Sequence, residues 1–216
     1  SSAWARALAH PGVRAQLETH LAPEGPVVGI FPAAGELLNA LRAEAVCADE
    51  PWDHNRGQAF NVLDPQVVAR LERLFLSGSV RYVHTAPPIE GLEESSARSG
   101  RFPEGVPALR PGGLRADEAE AVHTGTANVG ACLNIARLAQ LRGTGWSIAA
   151  PAQSWFWRLK GTAWFAEHHV VHTHDIGDVR WWSSHPLFPT ASPSAPLATL
   201  RAVAFAILDV LAAMPV

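Results

Sequence analysis

Three short segments hold residues that could meet a small ligand. Phe31-Pro32-Ala33-Ala34-Gly35 closes an apolar run, Ala48-Asp49-Glu50 closes a second, and Ala86-Pro87-Pro88-Ile89 closes a third. A glycine-containing turn lets backbone approach a ligand, and an acid after a second strand can hold the hydroxyls of a ribose. This spacing points to a nucleoside-type cofactor site. The plainer reading is that every doubly wound sheet has turns at these places, and many need a glycine.

A second group is rich in imidazole. In the stretch 168–175, period two puts His168, His172 and His174 on one face of an extended segment, with Asp175 beside them. His-x-His with a nearby acid is the start of a zinc ligand set, and a late strand with partly exposed imidazoles is the alternative. Cys47 and Cys132 form no Cys-x-x-Cys pair and supply no disulfide framework.

The elements that must position these groups follow from periodicity. Residues 26–31 are a short apolar run closed by Pro32 and predict a buried strand. Gly35 opens a helical stretch through Leu37, Leu38 and Leu41, and 44–49 reads as a second strand. Asp64-Pro65 is a strong helix start, with Asp as N-cap and Pro at the first helical position. The helix after it ends at Ser77-Gly78, and 80–85 is the next strand. A helical region spans about 116–142, interrupted or kinked around Gly125 and Gly130. Strands are expected at 146–150, 168–174 and 179–183, with a helix beginning in 154–160. This alternation predicts an α/β fold with a mostly parallel sheet and helices on both faces.

Residues 1–24 read as an N-terminal helical extension, 25–190 as the main domain and 191–216 as a C-terminal docking helix. The Ser-Ser-Ala-Trp start suggests a processed or trimmed chain. The long 89–113 stretch has no sustained period, and loops of that length in a domain are commonly functional. With 48% hydrophobic residues the chain can bury a core. Seventeen basic against 20 acidic residues argue against a globally basic nucleic-acid binder. No segment is apolar enough for a membrane span, since Arg201 and Asp209 break the nearest one.

The order of these segments resembles class I S-adenosylmethionine-dependent methyltransferases, and most of all the DNA-methyltransferase-like domains of some eukaryotic retroelements. The counterparts are Phe31 to Gly35, Asp49, Ala86-Pro87-Pro88-Ile89, Phe102-Pro103-Glu104-Gly105, and Trp146 through Ala149-Ala150-Pro151 to Ser154 and Trp157. The resemblance covers roughly residues 26–185. It implies a Rossmann-like sandwich of about seven strands, S-adenosylmethionine as cofactor, and cofactor contacts from Phe31, Gly35, Asp49 and Asn61.

The departures from the family pattern bear on chemistry. Cytosine-C5 methylation needs a thiolate and an assisting Glu. Ile89 and Ala149 stand in their places. Amino-group methylation wants a polar residue and an aromatic around Pro-Pro to hold a flipped base. Here those positions are Ala86 and Ile89, so Ala86, Pro87, Pro88, Ile89 and Ala149 form a vestigial catalytic set. Ala33 replaces the first glycine of the cofactor turn.

The resemblance therefore implies a methyltransferase-like domain without catalysis, its cofactor lost, with a binding or structural role in a larger assembly. The Trp-rich last third, with Trp155, Trp157, Trp164, Trp181 and Trp182, is the expected protein-docking region. Nucleic acid is the partner the family implies, and Arg98, Arg101, Arg110 and Arg115 in the long loop would suit phosphate. One alternative is an active methyltransferase on nucleic acid or protein with His84 or His123 as base. The other is a metal protein using His172, His174 and Asp175.

Overall fold

Val27–Ile30 is short and apolar, and every one of its side chains is buried; it forms strand β1. The computed structural model describes residues 25–31, 33–43, 47–49, 51–89, 91–92, 116–176 and 178–185. The N-terminal extension 1–24, the docking helix 191–216, Phe102 to Gly105 and the four loop arginines lie outside them. After β1 come α1 (Ala34–Ala43), α2 (Pro65–Leu76) and β2 (Tyr82–Thr85). These are followed by α3 (Ala116–Leu141), β3 (Gly145–Pro151), α4 (Lys160–His168), β4 (His172–Ile176) and β5 (Val179–Ser183). The Asp64 carboxylate caps α2 by accepting from the Gln66 N–H at 2.8 Å, as the Asp-Pro pair predicts.

The five strands form one mixed sheet in the order β1-β2-β3-β5-β4. β1–β2 and β2–β3 are parallel, whereas β3–β5 and β4–β5 are antiparallel. The expectation of about seven mostly parallel strands is thus corrected among the described residues. The cause is local: residues 177–178 alone separate β4 from β5, and so short a link can join only antiparallel neighbours. β5 is consequently the one strand reversed relative to the other four.

Of the expected strand at 44–49, residues 44–46 lie outside the described residues, while Cys47 to Asp49 pair with β1 and the pairing goes on to Trp52. Ala48 bridges Val27 and Trp52 bridges Ile30, both in parallel sense. The Val27 N–H donates to Cys47 O, Asp49 N–H to Val27 O, Trp52 N–H to Gly29 O, and Phe31 N–H to Trp52 O, all within 3.0 Å. The outer ladder spends one more residue than β1 between its two bridges, which is a bulge. Pro51 sits in it, where a residue without an N–H interrupts nothing.

The two sheet faces are covered differently. Val28, Ile30, Val83, Trp146, Ile148 and Trp182 join Val67, Leu71 and Phe75 of α2 and Cys132, Ile135 and Ala139 of α3 in one buried cluster. Each large aliphatic or aromatic side chain so buried contributes about 1.5–3 kcal/mol. α3 runs unbroken for 26 residues, so the expected interruption at Gly125 and Gly130 does not occur. Tertiary packing along its length outweighs the modest helix penalty of two glycines.

α1 lies on the opposite face, over Gly29. A Cβ at Gly29 would stand 2.6 Å from Leu38 Cδ1 and 3.0 Å from Ala34 Cβ, so this glycine sets the helix–strand distance. Gly29→Val should lower the unfolding free energy by about 1–3 kcal/mol through overpacking, read by urea denaturation. An unchanged midpoint would mean that α1 can move outward freely.

The imidazole-rich stretch is also corrected. α4 continues through His168, and the strand starts only at His172. His168 Nδ1 is 2.8 Å from Trp164 O and its ring stacks on Trp164 at 4.4 Å, an i, i+4 pairing that strand geometry could not make.

Candidate functional site

In an open α/β sheet, ligands meet the carboxyl ends of the strands where the strand order reverses. The chain leaves β1 for the outer ladder on one side and returns through α2 to β2 on the other. The reversal therefore lies between β1 and β2, bordered by Phe31, by Trp52 and Asp53, and by residues 86–92.

Phe31 ends β1 at φ 70°, in the left-handed region, although it carries a bulky side chain. That conformation costs about 1–2 kcal/mol. It is held by the bonds from Phe31 N–H to Trp52 O and from Ala34 N–H to Phe31 O. The ring is buried and belongs to the same cluster as Trp52, Val62 and Leu92, with Ile89 and Phe60 packed against it. Trp52 meets Phe60 edge-on at 5.8 Å and carries the Arg70 guanidinium on its face at 4.3 Å. The residue that follows β1 is thus buried among hydrocarbon and aromatic side chains.

The other expected cofactor contacts are dispersed. Gly35 is half-buried at the start of α1, where an added Cβ would touch Pro51 Cγ at 3.3 Å. It serves the approach of α1 to the outer ladder. Asp49 is exposed and lies in the first half of that ladder, its N–H engaged with Val27 O, so it does not sit at the carboxyl end. Asn61 spends its side-chain oxygen on the Leu63 N–H at 3.1 Å, in the turn that leads into α2.

The acid at the carboxyl end is Asp53. It is only 6% exposed. Asn55 Nδ2 donates to its Oδ2 at 2.9 Å, while Oδ1 lies 3.0 Å from His54 Nδ1 without a well-aligned hydrogen bond. Its signal in the sequence is position: it stands roughly 20 residues beyond the first turn, where a ribose-binding acid is sought.

The loop that follows β2 is anchored. Ala86 and Pro87 are buried, Pro88 and Ile89 half-buried, and the Ala86 N–H donates to Ile30 O at 3.2 Å. Asn128 of α3 donates to Pro88 O at 3.4 Å. Leu92 O accepts from the Trp155 N–H at 2.9 Å and from Ser154 Oγ at 3.0 Å. Ala149 is buried in β3 opposite Trp181 of β5.

The two candidate bases differ in setting. His84 is 2% exposed, stacks on Trp181 at 5.0 Å, and places Nδ1 2.8 Å from Ser147 Oγ. Burial pushes its pKa down to about 3. His123 is exposed on α3. Cys132 is buried and its thiol is pushed up to about 12, which leaves no thiolate at neutral pH.

The proposed metal ligands face apart. His172 and His174 share one face of β4, and Asp175 points to the other. There it takes two bonds from Arg180, at 2.7 and 2.8 Å, which hold its carboxyl below the usual range. Among the described residues no three His, Cys, Asp or Glu side chains are placed to share a metal ion.

The tryptophans divide as well. Trp181 and Trp182 are buried, and Trp155 and Trp157 are half-buried under Arg158 and Arg180. Trp164 is exposed. Among the described residues no helix is long and apolar enough to cross a membrane. Set against known proteins, the chain matches no family model, no curated protein and no solved structure.

Proposed function

We propose that this is a methyltransferase-like domain without methyl transfer, serving a binding or structural role in a larger assembly. One observation carries the reading. At the end of β1, where a donor nucleoside would lie, Phe31 is buried in the same hydrophobic cluster as Trp52 and Val62, with Ile89 packed against that cluster. The loop that would hold a nucleophile presents Ala86 and Ile89 instead. The finer fold reading goes with it: a shortened Rossmann-like methyltransferase sheet. Its support is the parallel run from the outer ladder through β1 and β2 to β3, together with helices on both faces.

Titration calorimetry with S-adenosylmethionine should give no heat, and labelled cofactor with DNA should transfer no methyl group. Robust incorporation into DNA or protein would overturn the proposal.

A second reading, a domain that binds S-adenosylmethionine, draws on Asp53 alone. A buried carboxylate with one poorly satisfied oxygen at a switch point is suited to ribose hydroxyls. Micromolar binding of S-adenosylmethionine that Asp53→Asn weakens at least tenfold would favour it. Binding indifferent to Asp53 would remove it.

A further inference from the structure

We draw no further inference here: the strongest candidate, the apolar groove between α2 and α3 lined by Leu63, Val68, Ala127 and Gly130, is an unpartnered face, and nothing among the described residues shows what covers it.

Discussion

Acidification from pH 7 to pH 4 is expected to cost the folded domain about 3 kcal/mol through His84 alone. The sign follows from the two states. The unfolded histidine takes up a proton below its ordinary pKa of 6.5, whereas the folded one resists until about 3. Stability is therefore fully present above 6.5 and falls as the pH drops through the window between the two values. Each pH unit inside that window is worth about 1.4 kcal/mol. The physical cause is that His84 lies inside the sheet, with Ser147 Oγ at Nδ1 and Trp181 across its face, and the imidazolium would have to form in a dry site.

The test is a urea series at several pH values on the wild type and on a paired variant, His84→Phe with Ser147→Ala. Phe keeps the stacking surface, and removing the serine hydroxyl avoids stranding a buried polar group. The expected result is loss of about one proton's worth of slope between pH 6.5 and 4. An identical slope in the variant would show that other groups carry the acid sensitivity. Burial has already lowered His174 and His185, which face the His172 imidazole, so the wild-type curve should be steeper than one histidine gives.

Where local chemistry decides the fold, the sequence is readable. Asp64-Pro65 starts α2, and the spacing of Val67, Leu71 and Phe75 gives its buried face. β1 and β5 are legible from apolar runs bounded by turns. The errors come from places where tertiary packing outweighs local pattern. The expected strand stops at Asp49, but Pro51, at a bulge on the outer ladder, interrupts nothing, so pairing resumes at Trp52. His168 continues the two-residue spacing of His172 and His174, yet the Trp164 stack keeps it in α4. Two glycines predict a broken α3, but contacts along the sheet hold it intact.

The candidate site was legible only in part. Phe31 and the 86–89 loop do lie at the carboxyl ends of neighbouring strands, because a turn must follow each strand. Asp49 pairs within the outer ladder rather than at its carboxyl end. The ladder continues past Asp49 to Trp52, which puts its carboxyl end at Asp53. No periodicity argument could show that Phe31 accepts a left-handed backbone, since that depends on the bond its N–H makes to Trp52 O.

Gly91→Ala is the other change expected to have a large effect, because the loop after β2 is held in place as a clamp. Gly91 stands at φ 74°, and a Cβ there would lie 2.9 Å from the Val122 backbone nitrogen of α3. The left-handed conformation costs alanine about 1–2 kcal/mol. The backbone contact adds about 1–3 kcal/mol, because a main-chain atom cannot swing aside as a side-chain end can. A gain of about 0.4–1 kcal/mol from a stiffer unfolded chain offsets part of this. The net expectation is a loss of about 2–4 kcal/mol in denaturant unfolding.

Gly78→Ala is the control. It stands at a similar φ of 69° with nothing within 4 Å of an added Cβ, so only the dihedral cost should appear. A loop retained for catalysis alone would tolerate Gly91→Ala with the same small loss as Gly78→Ala. The clamp requires more. Displacing Gly91 must also pull Leu92 O from the Trp155 N–H and Ser154 Oγ, and so loosen the turn beyond β3. The backbone amide NMR resonance of Trp155 should then shift in Gly91→Ala but not in Gly78→Ala. Equal losses and an unmoved spectrum would mean that residues 86–92 are not structural, and the reading of the loop as a relic kept for packing would fall.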